Sequence, residues 1–205
     1  MVFRLMPAAV AVLAMAAAGQ AQVLEFESGG LKYKALSHHG VTVMFAPLRM
    51  RIHDFAVLQI SVSNGSPAPC TIKPDDFRIE HDGETIQASS GEAIVHLLIQ
   101  KGSHSDAVKL AAAYEAALYG IPNVHSTNGF ETRRLNAVAD GGSSKLKAAA
   151  AASAIVLVAT KLLPGQSTDG AVFYKAAPKP ISGGKLVVNA AGEIFEFPFD
   201  EIRLK

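Results

Sequence analysis

The chain has 205 residues, 49% of them apolar, with 19 Lys and Arg against 18 Asp and Glu. The high apolar content excludes an intrinsically disordered chain, and the near-zero net charge argues against a nucleic-acid partner, since phosphate neutralisation needs clustered excess Lys and Arg. The single cysteine, Cys70, excludes an internal disulfide.

The first 21 residues have the pattern of a secretory signal peptide. Arg4 gives a positive start, residues 8–18 form an uninterrupted apolar run, and small residues precede a cleavage site after Ala21. A second site follows Ala18. The apolar run is shorter than the roughly 20 residues that a membrane-spanning helix needs. We therefore expect residues 1–21 to be removed rather than kept as an anchor.

Cleavage after Ala21 predicts an exported protein that is periplasmic, attached to the cell surface or secreted. Cleavage removes Arg4 and no acidic residue, so the 19 basic residues become 18 and balance the 18 acidic ones. Cys70 is interpreted as a small packing residue, with pairing to another chain outside the cytoplasm as the alternative.

A first β region is predicted over residues 31–89. Alternating apolar positions, β-branched residues and turn signals favour strands over 31–36, 41–45, 55–64 and 84–88. In the strongest strand, 55–64, the even-numbered residues Leu58, Ile60 and Val62 are expected to face the core. The residues between them, Gln59, Ser61 and Ser63, are expected to face solvent.

Residues 71–80 predict a kinked strand at a sheet edge. Pro74 interrupts this segment and has no amide hydrogen to donate to a neighbouring strand. Asp82 and Gly83 then form a strong two-residue turn into the next strand.

A helical region follows over residues 90–159, with about three helices. Ser89 or Ser90 can cap the first helix, in which Ala93, Ile94, Leu97 and Leu98 share a face. Ser105 or Asp106 can cap the second helix, which ends at Gly120. Residues 121–144 predict a surface loop. The third helix begins at Ser144 and contains an alanine run, which is interpreted as a buried helix.

The β pattern returns near the end of the chain, over 170–175, 185–189 and 194–199. About eight strands with short turns indicate an immunoglobulin-like β-sandwich with a helical insertion. We therefore expect a single domain over 22–205, with the insertion at about 90–159 lying across one end or face of the sandwich.

Two segments together resemble telokin-like, immunoglobulin-like domains of exported bacterial proteins of unknown function. They are 57–66 with 72–77 after it, and 163–166 followed by 170–173. The resemblance implies that the first segment is a core strand, a turn and a bent strand, and that the second is a turn leading into a strand of the facing sheet. It implies no catalytic residue.

Histidine is the most abundant residue type with functional chemistry, with seven copies. His38 and His39 are adjacent and would diverge on a strand, so they are interpreted as two solvated residues rather than a metal site. Glu92 and His96 are four residues apart on a predicted helix and form an ordinary surface pair. His104 and His125 fall in separate loops.

Other candidate sites rest on incomplete patterns. Asp75, Asp76 and Glu80 would alternate along a strand and lack the glycine hinge of a calcium loop. Residues 141–145 lack the spacing of a phosphate-binding loop, and no serine nucleophile motif occurs. Three alternating aromatic residues near the end of the chain share one side of a strand, where core packing is favoured over a sugar platform: Phe195, Phe197 and Phe199.

The sequence thus predicts a non-catalytic exported domain with no catalytic, cofactor-binding or metal-ligating residues. Its expected partner is an envelope or extracellular protein, with the helical insertion as the candidate contact surface. We expect no nucleic-acid partner and no membrane span after cleavage. A small-ligand or carbohydrate-binding module is the alternative. A third hypothesis is a membrane-active protein that uses residues 148–159.

Overall fold

Antiparallel pairing organises the described chain into two large sheets and one small one. The structure is a computed structural model that describes residues 22–120, 143–175 and 181–202. The strands are β1 (Leu24–Ser28), β2 (Leu31–His38), β3 (Val41–Ile52), β4 (Phe55–Asn64), β5 (Cys70–Ile72), β6 (Phe77–His81), β7 (Glu84–Gln87), β8 (Thr160–Leu162), β9 (Ser167–Lys175), β10 (Ile181–Ala190) and β11 (Glu193–Ile202). The helices are α1 (Gly91–Lys101), α2 (His104–Gly120) and α3 (Ser144–Ile155).

The two large sheets share one apolar core. One sheet has the order β1-β2-β3-β4-β9 and the other β11-β10-β6-β7, while β5 and β8 pair separately. Leu58, Ile60 and Val62 of β4 lie in this inner core, as their spacing predicts, and Phe197 of β11 packs edge to face on Phe45 at 5.1 Å between ring centres. The prediction of a mainly β protein with helices is confirmed.

The helices cover the opposite face of the five-stranded sheet and form a second, outer core. Ile94 and Leu98 of α1, Leu110 of α2 and the alanine-rich side of α3 pack there against residues such as Phe173 of β9. The alanine run of α3 is therefore a buried helix. No helix of the described residues has both the length and the apolar character to cross a membrane.

This helical layer overturns one expectation about β4. Gln59 and Ser61 were expected to face solvent, but they are 4% and 0% exposed. The period-2 alternation correctly places Gln59 and Ser61 on the face of β4 that lies away from Leu58 and Ile60. The sequence pattern cannot show that a distant part of the chain covers the second face of the sheet.

The expectation of one kinked edge strand over residues 71–80 is wrong. Residues Pro74–Asp76 form a short 3-10 helix between β5 and β6, because Pro74 favours a first helical turn. The Asp76 carboxylate accepts a hydrogen bond from the Lys73 amide at 2.7 Å and closes this turn. β6 then pairs on both sides, with β10 and β7, so it is an interior strand.

The second segment of the telokin-like resemblance also falls in a different place. β9 was expected in the facing sheet, yet it pairs directly with β4 over nine registered positions, from Phe55 opposite Lys175 to Ser63 opposite Ser167. Leu163 to Gln166 do form the expected turn before β9, with Gly165 at a φ of 81°.

Helix boundaries differ from the sequence predictions in two places. Ser90 caps α1 as expected, but α2 is capped by Ser103 rather than by Ser105 or Asp106. Ser103 and Asp106 bond reciprocally, since the Asp106 carboxylate accepts from the Ser103 amide at 2.9 Å and Ser103 Oγ accepts from the Asp106 amide at 3.2 Å. The third helix was expected to run from Ser144 to about Ala159, but α3 ends at Ile155, and Val156 then forms a parallel bridge with Ala171 of β9.

Two further sequence predictions lie outside the described residues. These are the signal peptide over residues 1–21 and the surface loop over 121–144, of which only residues from 143 onward are described.

Candidate functional site

The first candidate is a groove of about 580 Å³ at one end of the two sheets. Its lining brings His39 and Cys70, two residues considered from the sequence, together with Glu193, the first residue of β11. His39 Nδ1 lies 2.9 Å from Glu193 Oε1. Glu193 is 154 residues away in the chain, so no local spacing could have shown this pair.

The groove has limited chemistry. Burial raises the pKa of the Cys70 thiol, which keeps this residue protonated and a poor nucleophile at neutral pH. Burial also raises the pKa of Asp76, although its bond from the Lys73 amide opposes that shift. Among the described side chains, no three His, Cys, Asp or Glu residues are placed to hold a metal ion.

The remaining residues considered from the sequence are not brought together. Glu92 and His96 are both exposed on α1, and Asp75 is separated from Glu80 by the start of β6. His104 is the first residue of α2, while His125 lies outside the described residues.

A charged network covers the outer face of the four-stranded sheet. Glu80 Oε1 accepts from Arg78 Nε at 3.0 Å, and Lys185 Nζ lies 3.4 Å from Glu80 and 2.6 Å from Glu196. Arg78 lowers the pKa of Glu80, and the bond to Glu196 raises the pKa of Lys185. Because these charges pair with one another, the face is a satisfied surface network.

Two buried polar residues, Tyr33 and Ser61, lie on the helix-facing side of the five-stranded sheet, and we call this pair the polar floor. Tyr33 and Ser61 are 1% and 0% exposed, and neither hydroxyl has a hydrogen-bond partner. Asp169 is the cross-strand neighbour of Ser61. Burial raises the pKa of Tyr33 to about 12, with the nearby Asp169 carboxylate adding to the effect. Buried hydroxyls without partners are uncommon, so this floor is a second candidate site.

The third candidate is β1, at the edge of the five-stranded sheet. β1 pairs with β2 through five registered positions, and no strand of the described chain pairs with its other side. Leu24 and Phe26 are 63% and 38% exposed, so this edge strand presents two large apolar side chains to solvent. The sequence pattern did not predict β1 at all.

The opposite edge of this sheet is covered. The Ser89 amide donates to the Phe173 carbonyl at 2.7 Å, and the Leu157 amide donates to the Ala171 carbonyl at 2.9 Å. The two ends of the helical region therefore occupy the edge of β9. An edge strand without a neighbour can pair with another chain. Within residues 22–120, 143–175 and 181–202, β1 is the edge of this sheet that has no such neighbour.

Each face of β1 has its own chemistry. Leu24 and Phe26 share the helix-facing side, where Phe26 stacks on Tyr33 at 5.3 Å between ring centres. Glu25 and Glu27 lie on the other side. Glu25 bonds Lys34 at 2.9 Å, which lowers the pKa of the Glu25 carboxyl. Lys34 also donates to the Pro198 carbonyl of β11 at 2.9 Å, which ties the two sheets together.

Comparison with known proteins adds little to this geometry. No family model matches the chain, and no curated protein matches it. Among solved structures, the crystal structure of the yjhA protein from Bacillus subtilis is similar with a TM-score of 0.32 and 12% identity, covering 81% of this chain and 77% of that one. At that TM-score the likeness carries no inference about function.

Proposed function

We propose that this chain is an exported, non-catalytic, immunoglobulin-like domain that acts through protein contacts in the periplasm or at the cell surface. The observation that carries the proposal is the outer edge of β1, with which no strand in the described part of the chain pairs, together with the exposed Leu24 and Phe26. A free strand edge offers main-chain hydrogen bonds, and exposed apolar side chains beside it add contact area for a polypeptide partner.

Export rests on the pattern of residues 1–21. If they are removed after Ala21, β1 begins two residues after the new amino terminus, at Leu24. Cell fractionation followed by amino-terminal sequencing tests this step. We expect the chain in the envelope or medium with Gln22 first, and an intact chain retained in the cytoplasm would contradict export.

The order of the strands supports an immunoglobulin-like sandwich. In the immunoglobulin fold, strands A, B and E are neighbours in one sheet, with D beside E. Strands G, F and C are neighbours in the other sheet, which the variable type extends with C′. The neighbours β3-β4-β9 match A-B-E, and β11-β10-β6-β7 match G-F-C-C′. β1 and β2 then extend the first sheet, and the helices occupy the connection between β7 and β8.

A cross-linked pull-down from the native envelope tests the proposed contact. Two matched double variants test the two surfaces separately. One is Leu24→Ser with Phe26→Ser on β1. The other is Ile99→Ser with Leu146→Ser on the helices, where both side chains are 44% exposed. We expect one specific protein partner with the wild type and the helix variant, and a clear loss with the β1 variant. Recovery of no partner by any form, with all forms folded, would contradict the proposed function.

A small-ligand module is the second candidate, and the polar floor favours it. A ligand that bonded the Tyr33 and Ser61 hydroxyls would satisfy both groups and stabilise the folded state. A thermal-shift panel of sugars and small polar metabolites is the test. A rise in Tm that Ser61→Ala removes would support this candidate, and a panel that leaves Tm unchanged would count against it.

A further inference from the structure

We infer that the open edge of β1 accepts an extended partner strand in which basic and apolar residues alternate. This inference rests on the proposed function, because it names the chemistry of the protein partner that β1 would bind. It is carried by the side-chain order of β1 and by the strand that β1 already binds.

β2 shows which sequence pairs well with β1. Opposite the two glutamates of β1 stand two lysines, with Lys34 beside Glu25 and Lys32 beside Glu27. Opposite Phe26 stands Tyr33. The strand on one side of β1 therefore places basic residues on the acidic face and apolar residues on the apolar face.

A strand added at the open side meets the same five side chains. Side chains of a strand alternate between its two faces, so the incoming strand faces Glu25 and Glu27 on one side and Leu24 and Phe26 on the other. Opposite charges directly across strands attract, and like charges repel. The pattern therefore selects Lys or Arg at every second position and apolar residues between them.

A second copy of this edge does not fit. When β1 pairs with another β1, every register that aligns apolar with apolar residues also aligns glutamate with glutamate. Shifting by one residue instead mixes the glutamates with Leu24 and Phe26. Both arrangements are unfavourable, so β1 disfavours pairing with itself and favours a different chain.

β7 provides a contrast. It is one of the two edge strands of the other sheet, the second being β11. It is four residues long, Glu84–Gln87, and its apolar residue, Ile86, packs against the inner core. β7 thus lacks the exposed apolar face of β1. Glu84 is an exposed acidic residue on that strand, which makes it a suitable control position.

The test uses the chain as cells process it and two short blocked peptides, one alternating Lys with Val and one alternating Glu with Val. Binding is measured by fluorescence anisotropy at low salt. We expect the wild type to bind the Lys peptide and to reject the Glu peptide. The double variant Glu25→Lys with Glu27→Lys should weaken binding of the Lys peptide about tenfold and should create binding of the Glu peptide.

The matched control is Glu84→Lys with Glu92→Lys, which makes the same change in net charge at two other exposed positions. This control should keep the wild-type preference, because only local pairing is proposed. If both double variants lose binding of the Lys peptide equally, the attraction is a non-specific effect of net charge and the inference is overturned. Failure of the wild type to bind the Lys peptide would overturn it as well.

The same variants separate this inference from the proposed function. If the envelope partner is captured equally by wild type and by Glu25→Lys with Glu27→Lys, the inferred chemistry of β1 is wrong and a protein-contact function stands. If the Lys peptide binds as expected but no envelope partner is captured, the chemistry of the edge stands and the proposed function fails.

Discussion

The two apolar cores lie on opposite faces of one sheet and are built differently. Among the buried residues described, the inner core between the sheets contains six aromatic residues and three alanines. The outer core between sheet and helices contains two aromatic residues and seven alanines. Large side chains thus hold the two sheets together, whereas the helices approach the sheet closely through small ones.

The difference extends to polar groups. The outer side holds the Tyr33 and Ser61 hydroxyls without partners, together with buried Gln59. Gln59 Nε2 makes a long 3.5 Å bond to the neighbouring Ile60 carbonyl. The inner core also has an unpartnered hydroxyl, on Tyr174. Buried Asn64 lies on the same side of β4, but its amide nitrogen donates to the Leu162 and Ala68 carbonyls. We therefore expect the inner core to contribute more of the free energy of unfolding than the helical layer does.

The largest loss of stability is expected from Phe197→Ala in the inner core. Phe197 is fully buried and packs on Phe45, so truncation leaves a cavity between two sheets that are fixed by their own hydrogen bonds. The free energy of unfolding should fall by about 3–5 kcal/mol. Urea denaturation followed by circular dichroism measures the loss, and a change below about 1 kcal/mol would contradict this ranking of the cores.

A smaller loss is expected from Leu98→Ala in the outer core. Leu98 is also fully buried, but the helices around it can shift into the space that it leaves. The loss should lie toward the lower end of the roughly 2–5 kcal/mol seen for such truncations. The same denaturation series provides the comparison. If Leu98→Ala is more damaging than Phe197→Ala, the contrast between the cores is wrong.

Gly170→Ala probes the contact between the helical region and β9. A Cβ at this position would lie 2.6 Å from Leu157 Cα and 2.7 Å from Leu157 N, which are backbone atoms that cannot rotate away. We expect a loss of about 1–3 kcal/mol from overpacking. Hydrogen exchange should also show a faster-exchanging Leu157 amide. An unchanged Leu157 amide and unchanged stability would show that the two segments are not this close.

The smallest effect concerns alkaline pH. The pKa of Tyr33 is about 12 when folded, against an ordinary value of 10.0, so the unfolded chain loses this proton first. Stability that is present below pH 10 should therefore decrease as the pH rises toward about 12. Denaturation at several pH values should show a shallower decline in Tyr33→Phe. If the free energy of unfolding declines equally in the wild type and in Tyr33→Phe, Tyr33 does not contribute to the alkaline loss of stability.

Local sequence patterns predicted the elements of the inner core well. β4 spans Phe55–Asn64 as expected, the alternation of Phe195, Phe197 and Phe199 places all three in the core, and Asp82 with Gly83 forms the expected turn. These features follow from spacing within a few residues. Periodicity and turn chemistry determine them without reference to the rest of the chain.

The candidate sites depended on contacts that spacing does not encode. The His39–Glu193 pair and the burial of Ser61 each require distant segments to meet. β1 was missed for another reason, since Leu24–Ser28 is short and alternates apolar residues with acids that disfavour strands. Its pairing with β2 supplies the stability that its own sequence lacks.

Hydrogen–deuterium exchange of the processed chain, alone and with the Lys–Val peptide, tests the central claim most directly. If β1 is the contact edge, the peptide should slow exchange in residues 24–28 and leave the amides of α1, α2 and α3 unchanged. Protection confined to the helices, or no protection at β1, would contradict the assignment of the contact surface to this edge.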